Sequence, residues 1–118
     1  MSFAEARVLV VEDNAGVRNM LLRTLEALGF EEPKDASSAD EARELLRSGV
    51  EVDLVLSDIR MEGTIDGYGL AHWLRKERPA TRVLLMTGYT DHDITDFVVL
   101  SKPYSMSVLE ETLTKLLS

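Results

Sequence analysis

Apolar and polar positions follow two rhythms along this chain. Short apolar runs, rich in valine and leucine, stand at Arg7-Val8-Leu9-Val10-Val11, Asp53 to Asp58, Arg82 to Thr87 and Phe97 to Ser101. They are too short for helices and too continuous for strands with one wet face, so they read as strands buried on both faces. Between them the apolar residues recur three and four apart: Val17, Leu21, Leu25 and Leu28 between Ala15 and Leu28, then Ala42, Leu45 and Leu46, and finally Val108, Leu109, Leu113, Leu116 and Leu117. That spacing predicts amphipathic helices with those residues on the core side.

The punctuation agrees. Asp13 or Asn14 can cap the first helix and Gly29 can close it. Ser38-Ala39-Asp40-Glu41 has the form of a capping box and opens a helix that ends near Gly49. A helix from about Gly67 to Lys76 stops ahead of Pro79. The segment from Glu31 to Ala36 makes a poor strand, because Pro33 lacks a ladder donor and charges crowd it, which predicts a place at or near a sheet edge. Strands alternating with helices mean βαβ units, right-handed crossovers and a parallel sheet covered on both faces. The prediction is an α/β doubly wound fold in one domain spanning residues 1–118, without internal repeat, linker or low-complexity segment.

Composition narrows the class. The chain has 118 residues, 45% of them hydrophobic and 29% charged, enough to bury about two thirds of its unfolded surface in a core. No apolar run approaches the roughly 18 residues of a membrane span, and the start, MSFAEARVLVVEDN, lacks the form of a secretory signal, so a cytoplasmic location is expected. The absence of cysteine excludes disulfides, thiolate metal sites and cysteine nucleophiles. A formal net charge of -8 argues against nucleic acid as a partner and suits a protein that meets proteins or binds a cation.

Chemistry concentrates at the strand ends, where ligands gather in such a sheet. The first strand ends in Glu12-Asp13, the third in Asp58, the fourth in Thr87-Gly88 and the last in Ser101-Lys102-Pro103. Carboxylates this close repel one another by amounts on the kcal/mol scale even at an effective dielectric of about 20, so they call for a cation. Oxygen donors without nitrogen or sulfur select a hard ion such as Mg²⁺. With Lys102 as a fixed positive charge and Thr87 as a hydroxyl donor, the set suits a carboxylate nucleophile that receives a phosphoryl group.

At this point the chain resembles the receiver domains of two-component response regulators, through VLVVEDN, DLVLSDIRM, DG, LLMTG and SKPY in that order. The resemblance covers essentially the whole sequence. It implies a flavodoxin-like (CheY-like) fold with five parallel strands in the order 2-1-3-4-5. It also implies an aspartyl phosphate at Asp58, Mg²⁺ held by Asp13, Asp58 and the backbone carbonyl of Arg60 with Glu12 acting through water, and Thr87 and Lys102 as the switch pair. The implied partners are a histidine kinase or phosphotransfer protein upstream and a protein effector downstream, with neither nucleic acid nor membrane, and the protein is expected to be a monomer that catalyses its own phosphorylation and dephosphorylation.

Three departures stand out. Glu62 follows Met61 where receivers usually carry proline, and the loop to Asp66-Gly67 is about one residue longer. Val99 occupies the usual aromatic position three before the lysine, leaving Tyr89 or Tyr104 to take its place. Only Gly88 to Asp96 is available for a fourth helix between the threonine and the last strand, so Thr90-Asp91-His92-Asp93 starts at most one or two turns. A stripe of Ala15, Arg18, Asn19 and Leu22 on the first helix, opposite its core face, is the expected contact with a kinase.

Other readings stay in view. A stand-alone single-domain regulator is expected, because the chain opens with Met1 and ends just after the last helix; a receiver from a hybrid histidine kinase and a non-phosphorylated pseudo-receiver are the alternatives. A Mg²⁺-dependent phosphatase of the aspartyl-phosphate type needs a second aspartate two residues after the nucleophile, and Arg60 stands there. His72 and His92 read as solvent-facing and Trp73 as a partly buried helix residue, while Gly67 and Gly88 are too isolated to form a phosphate-cradling loop.

Overall fold

The computed structural model describes residues 1–88 and 94–118. Its elements are β1 (Val8–Val11), α1 (Ala15–Leu28), β2 (Lys34–Ala36), α2 (Ala39–Arg47), β3 (Leu54–Asp58), α3 (Gly67–Glu77), β4 (Arg82–Thr87), β5 (Val98–Ser101) and α4 (Met106–Leu117). The five strands form one sheet in the order β2-β1-β3-β4-β5, and every neighbouring pair is parallel. This is the predicted flavodoxin-like order. The weak segment with Pro33 becomes the short edge strand β2; it begins only at Lys34, after Glu32 has turned through a positive φ of 47°.

The register explains the two-sided burial. Val8 and Val10 of β1, Leu54 and Leu56 of β3, and Leu84 and Met86 of β4 face a core closed by Leu21 and Leu25 of α1 and by Leu109, Leu113 and Leu117 of α4. The alternate residues Leu9, Val11 and Val55 face the other side, against Ala39, Ala42 and Leu46 of α2 and Leu70 and Leu74 of α3. Period-2 alternation in the strands meets period-3.6 faces in the helices, and each strand residue has a core to enter.

Caps set the helix ends where the sequence puts them. Asn14 accepts from the Val17 N–H at the start of α1, and Gly29 closes it in the left-handed region at φ 117°. Ser38 caps α2 by accepting from the Glu41 N–H, and Asp66 caps α3 by accepting from the Gly69 N–H. Among the described residues no helix is long and apolar enough to cross a membrane.

Two helix faces differ from expectation. Val17 and Val108 are exposed rather than core, because each lies a step off the seam that α1 and α4 present to the sheet. On α1, Leu22 packs against the core, and Arg18 is engaged by Asp35 and the Glu12 carbonyl. Of the stripe expected to meet a kinase, Arg18 and Leu22 are therefore engaged while Ala15 and Asn19 are exposed; the exposed large apolar side chains at this end of the molecule include Val17, Met20, Met106 and Val108. The short helix expected around Thr90 to Asp93, along with Tyr89 and His92, lies outside the described residues. The flanking Gly88 and Ile94 to Phe97 are not helical.

Neighbouring positions on α4 test this packing. Leu109→Ala should cost about 2–5 kcal/mol through transfer and cavity terms, whereas Val108→Ala should stay within about 0.5 kcal/mol. Urea unfolding with unchanged slope measures both, and equal costs would contradict the assigned face.

Candidate functional site

Parallel strands bring their carboxyl ends together, and β1, β3, β4 and β5 deliver Glu12, Asp58, Thr87 and Lys102 to one edge of the sheet. One carboxylate oxygen from each of Glu12, Asp13 and Asp58 lies within 4.8 Å of the others. Glu12 is buried at 3% exposure, Asp13 is exposed and Asp58 half-buried. Lys102 Nζ stands 3.4 Å from Asp58 Oδ2, and the Lys102 backbone N–H donates to the Thr87 carbonyl at 2.7 Å, which locks the ends of β4 and β5 together. Asp58, Arg60, Thr87, Gly88 and Lys102 line one open cleft; Asp13, Arg60, Met61, Glu62 and Asp66 line the adjoining one. The sequence-predicted residues Glu12, Asp13, Asp58, Arg60, Thr87 and Lys102 thus all meet at this edge.

Electrostatics single out Glu12. Burial, foremost, and then the adjacent Asp58 carboxylate push its carboxyl up to about 7, against the pull of Lys102 and of the Asn14 N–H. The Asn14 N–H reaches Oε1 at 3.4 Å, while Oε2 is buried with no hydrogen-bond partner among the described residues. A buried carboxylate oxygen without a donor is costly. Together with an all-oxygen donor set, it fits a hard divalent cation such as Mg²⁺.

Sequence reasoning missed the supporting role of two residues. Gly67 opens α3 directly against the end of β3: a Cβ there would stand 1.9 Å from the Asp58 carbonyl oxygen, and the Gly67 N–H donates to the Ile59 carbonyl at 2.9 Å. Its only signal was the Asp66-Gly67 pair. Arg18 donates to the Glu12 carbonyl at 2.9 Å and holds Asp35 at 3.0 Å, bracing the end of β1 from α1; an exposed-looking arginine on a helix gave no hint of that.

The aromatic expected in place of Val99 is also located in part. Tyr104 is half-buried against the core, and burial raises its phenol. Val99 itself packs against Ile59, Ala71 and Leu85. Phe97, two residues earlier, meets Tyr68 and His72 edge-on and lies under the Arg75 guanidinium at 3.9 Å. His72 is exposed and Trp73 half-buried, as read from the sequence.

This fold and this edge are those of a receiver domain, and the chain belongs to the response regulator receiver domain family, whose model matches residues 8–114. It is 34% identical over 120 residues to the sensor kinase CckA of Brucella abortus, covering 95% of this chain and 12% of that protein. It is also 34% identical over 89 residues to the transcriptional regulatory protein GlrR of Escherichia coli, covering 75% of this chain and 19% of that one. Among solved structures, the response regulator TrrA of Thermotoga maritima, in complex with Mg²⁺-BeF, superposes with a TM-score of 0.83 at 32% identity, covering 94% of this chain and 98% of that one. A receiver protein from Sinorhizobium medicae gives 0.85 at 28% identity, covering 96% and 95%. The chain spans less than a fifth of the two curated relatives named here.

Two predictions follow from the geometry. Because the folded state holds the Glu12 proton more tightly than an ordinary carboxylate near 4.5, this group's stabilising contribution is complete below about 4.5 and is lost as pH rises through about 7. In chelator, the urea midpoint of the wild type should therefore fall between pH 5 and pH 8 relative to Glu12→Gln; parallel curves would refute the assignment. Gly67→Ala should destabilise by about 1–3 kcal/mol through overpacking and shift the Asp58 backbone resonances, whereas unchanged resonances would mean the close approach is relieved elsewhere.

Proposed function

We propose that this domain accepts a phosphoryl group on Asp58 from the phosphohistidine of a histidine kinase or phosphotransfer protein, and signals through protein contacts. The observation that carries this reading is the position of Asp58: a carboxylate cluster on one side, the Lys102 ammonium at 3.4 Å on the other. An Asp58 carboxylate oxygen attacks phosphorus, the P–N bond breaks, and the histidine ring takes the bonding electrons. Asp13, Asp58 and the Arg60 carbonyl would hold Mg²⁺, with Glu12 acting through water, and the ion would offset the charge of the transferring group.

The residues of the chain do the rest. Lys102 pairs with the negative charge that remains on the phosphorylated side chain, and the Thr87 hydroxyl bonds one of its oxygens. The Lys102-to-Thr87 backbone hydrogen bond makes the two ends respond as a unit. The same groups serve self-catalysed dephosphorylation when water replaces histidine. Arg60 at the second position after Asp58 leaves no general acid for a phosphatase of the aspartyl-phosphate type.

An incoming phosphohistidine must pass beside α1 and the start of α4. The exposed Val17, Met20 and Met106 there, rather than Arg18 and Leu22, form the contact we assign to the kinase or phosphotransfer partner. A cytoplasmic, monomeric single-domain regulator with a protein effector is the carrier we favour. The likeness to CckA across 95% of the chain supports a second carrier, a receiver within a hybrid kinase, with the same chemistry at Asp58.

Mass spectrometry after incubation with acetyl phosphate and Mg²⁺ tests the reading. The wild type should gain one phosphoryl mass and Asp58→Ala none; a gain in that variant would refute it. Lys102→Ala should keep Mg²⁺ binding and lose the phosphorylation-induced chemical-shift changes at Thr87 and β5, and full retention of those changes would remove Lys102 from the switch.

A further inference from the structure

The connection from β3 to α3 carries the Arg60 carbonyl and brings Met61, Glu62 and Asp66 to the cleft shared with Asp13. Its two ends are fixed at one place. The Ile59 N–H donates to the Met86 carbonyl at 3.0 Å, and the Gly67 N–H donates to the Ile59 carbonyl at 2.9 Å. The seven residues between leave and return at the same point. They contain no proline and include Gly63 in the left-handed region at φ 131°, so their own covalent geometry does little to fix the path.

What holds the tip lies on another element. Asp40 sits in the first turn of α2, far from Asp58 in sequence and outside the acidic cluster. Its Oδ2 accepts from the Thr64 N–H at 3.0 Å, the Thr64 hydroxyl donates to its Oδ1, and the Arg43 guanidinium braces that same oxygen at 3.4 Å. Gly63 is shaped around this contact: a Cβ at that position would stand 2.2 Å from Asp40 Oδ2. Met61 and Ile65, on either side, pack against the core between α2 and α3. The Thr64 hydroxyl, foremost, holds the Asp40 carboxyl below its usual range, so the hydrogen bonds are charge-assisted at neutral pH.

Resting on the phosphoacceptor reading above, we propose that Asp40 is a positioning residue for the site. By clamping Thr64 it fixes the course of residues 60–66, and with it the Arg60 carbonyl that would face Mg²⁺. Two apolar anchors limit the loop's tilt, but only a directional contact fixes its register, and the paired hydrogen bonds to Thr64 supply it. The simpler role for Asp40 is that of an acid in a helix first turn, favoured by the macrodipole. Glu41 occupies the same turn and bonds Ser37 instead of the loop, so it separates the two roles.

The experiment compares wild type, Asp40→Ala, Asp40→Asn, Glu41→Ala and Thr64→Val. Amide exchange of the metal-free proteins reads the loop directly, Mg²⁺ calorimetry reads the site, and acetyl phosphate labelling across Mg²⁺ concentrations reads the chemistry. Asp40→Ala should lose protection at Thr64 and Ile65 and bind Mg²⁺ about tenfold more weakly, the scale of losses when a metal site's outer support is removed. The Mg²⁺ concentration for half-maximal labelling should rise by the same factor while the saturated rate holds. Asp40→Asn should recover most of this, since its amide can accept from the Thr64 N–H and donate to the Thr64 hydroxyl. Thr64→Val should shift Mg²⁺ binding in the same direction without touching α2, which keeps the test decisive should Asp40→Ala fold poorly. Wild-type Mg²⁺ affinity in Asp40→Ala or Thr64→Val, or an equal loss in Glu41→Ala, would overturn the proposal while leaving phosphorylation of the wild type intact. A wild type that neither binds Mg²⁺ nor takes phosphate would instead remove the reading on which it rests, even with the loop protected.

Discussion

Mutual repulsion among Glu12, Asp13 and Asp58 is the constraint around which the rest of the molecule is arranged. At an effective dielectric of about 20, neighbouring carboxylates oppose one another by several kcal/mol, and Glu12 bears the added cost of burial. No local preference brings these groups together. They meet because β1 and β3 are adjacent and parallel, with Val11 opposite Ser57 in the register, and the sheet is held in that register by apolar packing on both faces. The cores on either side stabilise a charge arrangement that the chain would not adopt on its own, and Lys102 offsets part of it from β5.

The supports around this edge are graded in stiffness. The strands that carry Glu12 and Asp58 are buried throughout their apolar lengths, α3 starts so close to Asp58 that only glycine fits, and Arg18 braces the end of β1 from outside. Beyond β4 the character changes. The face of α3 that carries Tyr68, His72 and Arg75 is covered by Asp96 and Phe97: Tyr68 donates to the Asp96 carboxylate at 3.3 Å, and Arg75 donates to the Asp96 carbonyl. These contacts are exposed and polar, so they are individually worth little. The segment that enters β5 is therefore held to α3 by exposed contacts, whereas Glu12 stands buried at the end of β1.

Most of this was legible in the sequence because it depends on periodicity and punctuation. Continuous apolar runs placed four strands, Asn14, Ser38 and Gly29 marked helix ends, and Pro33 marked an edge. Four residues, Glu12, Asp58, Thr87 and Lys102, are strand-end groups whose meeting follows from parallel topology alone. What was not legible depends on rotation and on contacts across the chain. Val17 and Val108 carry core-like side chains at helical spacing, yet a small rotation of each helix about its axis leaves them outside. Arg18 and Leu22 looked free because the partners that engage them, Asp35 among them, come from other elements. Asp40 has a complete local explanation in its capping box, so nothing in the sequence pointed to its second partner, Thr64, 24 residues away.

The two ends of the chain meet. The Met1 ammonium donates to the Leu117 carbonyl at 2.9 Å, at the pole where β1 begins and α4 finishes, while the carboxylates occupy the opposite pole. Anything joined to either terminus thus departs from the side remote from the carboxylate cluster, and from nearly one point in space. In engineering terms the fold behaves like a plug with both wires leaving through the same socket: it can be set at the head, the tail or the middle of a longer polypeptide without rerouting the backbone or screening Asp58.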